Sequence, residues 1–392
     1  MGDLRLDAVV FPQRAGCHSV SLRAGRIDAI EATAGTAPRW LALPGLVNLH
    51  AHADRSFAVQ SFRPASLADA LAAAATARAA FTAADVRARA SRLFECSIAH
   101  GVTRLRTHTD VDPIVEMRSM QGVLAARDDV AGRLDVEVIA FSTSRNDLAR
   151  REAVERLERA IELKPQFLGA SLNSSTDPVR AFDALLSLAQ GNDLRVDLHL
   201  DEHLDGSRML APMVADAVIA RGLQGRVTFS HLCALSTLAP APARALIEKM
   251  ARAQVTVIAL PESNLLLQDR VEGTPRRRGV TLVRELLSAG VEVRFGTDNV
   301  RDWFYPFGDG DMLETAVAGA IATHLDDPSE LIGAICDGRL AIEVGAAADL
   351  VLIAASSFDD ALARRPAERM VFKGGRQVAG PRALRLRRRP DS

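Results

Sequence analysis

Short apolar runs bounded by turn residues recur along the middle of the chain, and each gives way to a longer stretch with apolar residues spaced three and four apart. The runs are GLVNLHAH, VTRLRTHTDV, LDVEVIAF, QFLGASLN, LRVDLHLDE, RVTFSHL, VTVIALP and VEVRFGTD, eight in all. Such runs suit strands covered on both faces, as in a parallel sheet. The intervening stretches include DVRARASRLFECSIAHG, ready to close on Gly101, and TLVRELLSAG, closing on Gly290. A terminal glycine takes the left-handed conformation that ends a helix without steric cost. Eight strands alternating with helices predict an α/β fold, a closed (β/α)8 TIM-like barrel, with an open doubly wound sheet as the alternative. No GxGxxG or GxxxxGKS sequence follows any strand, so the nucleotide-binding version of that alternative loses its main support.

The two ends of the chain follow a different rule. DAVV, HSVSLR and RIDAIEA in the first forty residues, and ADLVLIAA and ERMVFKGGRQVAG after residue 345, nearly alternate apolar and polar positions. Neither end is long enough to fold alone. Together they predict a small, sandwich-like composite β domain, residues 1–43 with 340–385, flanking a barrel at 44–339 and followed by a basic tail at 386–392.

A length of 392 residues agrees with one large core plus an accessory unit. With 48% apolar residues, 25% charged residues and a net charge of −1, nothing calls for a nucleic-acid partner. The densest basic run, Arg382 to Arg389, reads as a solvated terminus. Cys17, Cys96, Cys233 and Cys336 form no CxxC pair, which argues against a disulfide framework or a thiolate zinc site and fits a reducing, cytoplasmic setting. The N-terminus has no signal-peptide core, the Ala-rich stretch from Leu71 to Phe81 is broken by Arg78, and no membrane span is expected.

Polar residues fall at the ends of the predicted strands, where a parallel barrel gathers them on one face. His50 and His52 end the first run, His199 the fifth, His231 the sixth and Asp298 the eighth. Residues two apart on a strand share a side, so His50 and His52 can reach one ion. Alone, an HxH pair also occurs as two hydrogen-bonded histidines, and Asp298 also suits a helix N-cap. Jointly, three imidazoles and a carboxylate supply the donors of an open divalent-cation site. Glu202, three residues past His199, is placed to carry protons, although in isolation HLDE is also an ordinary acidic loop. His231 is placed to orient water or to meet developing charge.

From about Pro44 to Phe307 the chain resembles cytosine deaminase and its relatives in the amidohydrolase superfamily. The resemblance is carried by LPGLVNLHAHAD, GVTRLRTHTDV, VDLHLDE, RVTFSHL, NLLLQDR with RRRGVTLVREL, and FGTDN with FYPFGD. It implies that His50, His52, His199 and Asp298 bind one Zn or Fe ion, that Glu202 shuttles protons and that His231 lies beside the attacking water. Thr143, Gln268, Asn299 and Phe304 would contact substrate. The fourth strand, QFLGASLN, lacks the lysine that bridges two metals in many relatives, and Lys164 precedes it, so one metal is expected. Three departures concern the substrate: Ser142 and Thr143 stand where cytosine deaminase has proline-glutamine, Asn299 replaces an acidic residue, and Phe304, beside Trp303, replaces a tryptophan. The region between His324 and Gly345 is also shortened.

The reading that results is hydrolytic deamination of a small heterocycle: a pyrimidine, a triazine or a cyclic guanidine. Two alternatives accompany it: cleavage of a cyclic amide or N-alkylamine on a related ring, and a catalytically silent barrel that binds metal or ligand. The expected partner is a small molecule rather than a nucleic acid or membrane, with homo-oligomerisation left open.

Overall fold

The computed structural model describes residues 3–35, 37–59, 61–270, 274 and 276–381. The predicted basic tail, 386–392, and positions 382–385 of the composite end unit lie outside the described residues.

The chain begins with β1 (Leu4–Phe11), β2 (Arg14–Arg23), β3 (Arg26–Thr33) and β4 (Trp40–Pro44). The eight predicted runs form β5 (Leu46–Ala51), β6 (Val102–Val111), β7 (Asp135–Ser142), β8 (Phe167–Ser171), β9 (Arg195–Leu200), β10 (Val227–His231), β11 (Thr256–Ala259) and β12 (Glu292–Phe295). They pair in parallel and in sequence order. Between β12 and β5 the ring closes through an isolated bridge from Ala51 to Asp298 and a backbone hydrogen bond of 2.9 Å from Asp298 to the His50 carbonyl. Asn48 reinforces the seam, donating to Thr297 Oγ1 at 2.7 Å. The (β/α)8 barrel is therefore the fold.

Each barrel strand is followed by helix. β5 leads into α1 (Leu67–Arg78) and α2 (Ala83–Ala99), whose first turns are capped by the hydroxyls of Ser66 and Thr82. Gly101 and Gly290 have φ of +95° and +79°, the left-handed values that the helix-closing positions require. The main core lies between strands and helices. Two small apolar clusters stand apart from it: Val47, Leu49, Ile258 and Leu260, and Ile139, Phe141 and Phe167.

The ends of the chain meet in one seven-stranded sheet that includes β13 (Leu350–Ile353), β14 (Arg369–Lys373) and β15 (Arg376–Ala379), in the order β15-β14-β13-β4-β1-β2-β3. Period-two alternation explains how it attaches. Trp40, Ala42, Leu350, Leu352 and Phe372 enter the sheet's own core, whereas Leu41, Leu43, Val351, Ile353 and Val371 join that of the barrel. Among the described residues no helix is long and apolar enough to cross a membrane.

Candidate metal centre

The C-terminal ends of β5, β9, β10 and β12 bring together the histidines and the aspartate singled out in the sequence. His50, His52, His199, His231 and Asp298 are all buried. Asp298 Oδ1 lies 3.4 Å from His50 Nε2 and 3.2 Å from His52 Nε2, and His52 Nε2 lies 3.1 Å from His199 Nε2. Ligand atoms of His50, His199, His231 and Asp298 all lie within 4.8 Å of one another. The backbone is bent to achieve this: His231 and Asp298 have φ of +74° and +56°, values uncommon for residues with a side chain. Gly296 serves the same approach, since a Cβ there would stand 2.7 Å from His50 Cβ.

Electrostatics favour neutral imidazoles with free lone pairs. Burial, and then the neighbouring His108, push His50 down to about 3, and burial holds His52 and His199 well below the usual histidine range. Burial opposes ionisation of Asp298, yet its contacts with His50 and His52 keep it ionised, well below the usual carboxylate range. His50 Nε2, His231 Nε2 and Asp298 Oδ1 have no hydrogen-bond partner. Buried polar atoms are rarely left so, and these converge with the donor types that suit a divalent transition metal. The residues present thus fit a metal ion.

A supporting layer orients them. His50 Nδ1 meets Ser230 Oγ at 2.9 Å, and that hydroxyl lies 3.1 Å from Asp197 Oδ1. Ser263 donates to the other oxygen of Asp298, and His231 Nδ1 lies 3.1 Å from Asn264 Oδ1. Asp197 also faces His108 Nε2 at 3.3 Å and Arg106 at 3.0 Å. Sequence reasoning missed His108, whose ring centroid is 4.0 Å from that of His50. The signal was present in RLRTHTDVD, where the ionisable residues Arg106, His108 and Asp110 alternate along a strand covered on both faces and Asp112 follows its end.

The two acids after β9 have separate tasks. Asp201 is taken up by the scaffold, accepting from the backbone N–H of Leu210 at 2.8 Å and of Ala211 at 3.0 Å. Glu202 faces the cavity instead, 3.7 Å from His231 Nδ1, and burial raises its pKa while His231 offsets part of the rise.

A cavity of about 400 Å³ opens over the cluster. Thr143, Asn299 and Phe304 line it. Thr143 donates to Asp112 at 2.9 Å and Asn299 to Asp302 at 2.7 Å, so both side chains are already engaged with the scaffold. Gln268 is not among the lining residues; it donates at 3.4 Å to the Glu202 carbonyl, behind the site. Arg55, Arg78 and the apolar residues Leu67, Leu71 and Ala74 of α1 also line the cavity, and the sequence reading assigned none of them a role there. The Ala-rich stretch broken by Arg78 is therefore one wall of the site.

Comparison with known proteins agrees with this geometry. A model of the amidohydrolase family matches residues 152–379. A pterin deaminase from Rhizobium rhizogenes is 32% identical over 371 residues, covering 88% of this chain and 84% of that protein. An N-isopropylammelide isopropyl amidohydrolase from a Pseudomonas species is 25% identical, with 96% and 97% covered. The crystal structure of 5-methylcytosine deaminase from Klebsiella pneumoniae, liganded with 5-fluorocytosine, superimposes with a TM-score of 0.86 at 25% identity, covering 98% of this chain and 99% of the other. With a family model spanning more than half of its length and a relative this similar across most of it, the chain belongs to the amidohydrolase family.

Proposed function

We propose that the protein hydrolyses the exocyclic C–N bond of a small, flat, nitrogen-rich heterocycle and releases ammonia, with His50, His52, His199 and Asp298 holding one zinc or iron ion. When bound, such an ion lowers the pKa of water towards ~7 and so supplies hydroxide at neutral pH. Glu202 takes the proton released from water and delivers it to the ring nitrogen next to the amino-bearing carbon; it then takes the second proton from the hydroxyl now on that carbon and passes it to the amine, which leaves as ammonia as the carbonyl forms. Burial raises its pKa, which favours the protonated form that Glu202 passes through in each transfer. His231, fixed through Nδ1 by Asn264, presents Nε2 to the oxygen on which charge develops. The walls of the cavity hold the ring flat and limit its contact with bulk water.

The observation that carries this reading is the convergence of neutral, partly unpartnered imidazoles with one ionised carboxylate, beside a glutamate that points into the cavity. The pterin and 5-methylcytosine deaminases support the reaction class. Four unpaired cysteines fit action in a reducing cytoplasm. Metal-loaded protein should release ammonia from at least one ring in a panel of pterins, pyrimidines, triazines and creatinine-like compounds. Silence across that panel overturns the proposal. Glu202→Gln should lower kcat by roughly 10²–10⁴-fold while leaving metal content unchanged.

A second reading, release of an alkylamine, is favoured by the isopropylammelide relative and by the apolar wall of Leu67, Leu71 and Ala74, which suits an alkyl group. Detection of alkylamine rather than ammonia from N-alkylated rings separates the two.

A further inference from the structure

We propose that Arg55 reads a carbonyl oxygen on the substrate ring, and that the preferred substrates are heterocycles bearing both an amino group and such an oxygen. This rests on the heterocycle-hydrolase reading above.

Arg55 follows His52 by three residues, is only 8% exposed, and lines the cavity together with Glu202, His231 and Asp298. Its guanidinium lies over the Phe304 ring at 4.6 Å, which fixes its plane. Its contacts with acids are long: 3.5 Å from Nη1 to Asp110 and 3.4 Å from Nε to Asp302, where Nε makes no hydrogen bond. The Asp302 carboxylate is already engaged by Asn299 and by the backbone N–H groups of Phe304 and Tyr305. Arg78, in the same cluster, is bound more tightly, pairing with Asp110 and, at 3.1 Å, with Asp112. A guanidinium carries five N–H donors in a planar fork, and one this deeply buried is costly to leave under-used. Arg55 lines the cavity and its contacts within the protein are long, so an acceptor on a bound ring can complete its hydrogen bonding.

Charge decides what kind of acceptor. Arg55 and Arg78 stand among Asp54, Asp110, Asp112 and Asp302; burial pushes Asp54 up to about 7, but the other three acids already outnumber the two arginines, so the cluster offers no surplus positive charge to an anionic group. A neutral carbonyl oxygen uses the donors without demanding charge. An amino group at the same ring position would set donor against donor, and a pocket built on hydrogen bonds rejects such an analogue strongly. When hydroxide adds to the amino-bearing carbon, electron density moves onto a conjugated oxygen. The contact therefore strengthens in the transition state and acts on kcat as well as KM.

The test compares 2-amino-4-oxopteridine with 2,4-diaminopteridine, rings of one shape that differ at the position in question. In Arg55→Met, kcat/KM for the oxo ring should fall about 10–100-fold, the loss of one charged hydrogen bond. The value for the diamino ring should move by less than about threefold, and Arg55→Lys should recover part of the loss. Equal losses on both rings, or none, overturn the proposal. If Arg55→Met does not fold, Arg55→Lys decides: its preference between the rings should shift towards the diamino compound, and an unchanged preference is a refutation. Equilibrium binding of both rings to Glu202→Gln protein, with and without the change at Arg55, keeps the two claims apart. Selective loss of oxo-ring binding without ammonia release by the wild type sinks the reaction and spares Arg55. Binding of neither ring overturns the assignment of Arg55.

Discussion

The histidine cluster around His50, His52, His199 and Asp298 and the ion-pair cluster around Arg78, Asp110 and Asp112 stand side by side at the barrel mouth, and both are buried. They meet the cost of burial in opposite ways. Arg78 pairs with both Asp110 and Asp112, Asp110 also lies 3.5 Å from Arg55, and Asp112 also accepts from Thr143, so both carboxylates have partners within the protein. His50, His52 and His199 stay neutral, and His50 Nε2, His231 Nε2 and Asp298 Oδ1 have no hydrogen-bond partner among the described residues. A cluster whose carboxylates are paired with cations inside the protein holds structure; one whose ligand atoms converge without hydrogen bonds is built for something bound.

The largest effect expected from this contrast is at Asp298. Asp298→Ala removes the carboxylate that lies against both His50 and His52, and should cost on the order of 10³-fold or more in activity, since a bound ion would lose the ligand set that lowers the pKa of water. Metal analysis should show the loss directly, and a chelator should reproduce it in the wild type. A metal-replete, active Asp298→Ala protein would break the distinction between the clusters. Arg78→Met attacks the other cluster. It removes the cation closest to Asp110 and Asp112, leaving Asp110 only its long contact with Arg55, and should destabilise the protein by about 3–5 kcal/mol in denaturant, by the same amount with or without chelator. A cost that vanished on chelation would mean that the clusters are not separate.

Ser230→Ala should do less, because Ser230 acts only through its contacts with His50 and Asp197. Fixing one ring nitrogen of a ligating histidine sets its tautomer, and losing such a partner typically weakens metal affinity about 10–100-fold. Competition against a chelator of known affinity measures this. Unchanged affinity would show that Asp197 holds the site by another route.

The contrast also explains what was legible in the sequence. His50, His52, His199, His231 and Asp298 stood out because strand ends are easily located from apolar runs, and a parallel barrel gathers those ends. The eight strands and the pairing of the chain ends were readable for the same periodic reasons. Arg78 escaped because its partners lie 32 and 34 positions away on another element, and an arginine in an Ala-rich stretch carries no periodic mark of burial. Gln268 was brought to the region of the site by a segment resemblance, but only tertiary packing decides where its amide points, and here it donates to the Glu202 carbonyl.

The smallest predicted effect concerns a third way of tolerating a buried carboxyl. Among the described residues Glu262 pairs with no arginine; Thr315 donates to it at 2.9 Å, and it lies within electrostatic reach of Glu314, Asp311, Asp298 and the phenol of Tyr305. Burial, reinforced by Glu314, pushes its pKa up to about 8, so it carries a proton at neutral pH. The unfolded chain releases that proton near the ordinary glutamate value of 4.5. Between those values the folded state binds more protons, so the contribution of Glu262 to stability is complete below the lower value and lost as pH rises through the upper one. Glu262→Gln keeps an acceptor for Thr315 and cannot ionise. Its melting temperature relative to wild type should therefore rise between pH 6 and pH 9, by about 1–3 °C. A flat difference across that range would mean that Glu262 is already ionised when buried, and that a partner on the scale of Arg78 compensates it.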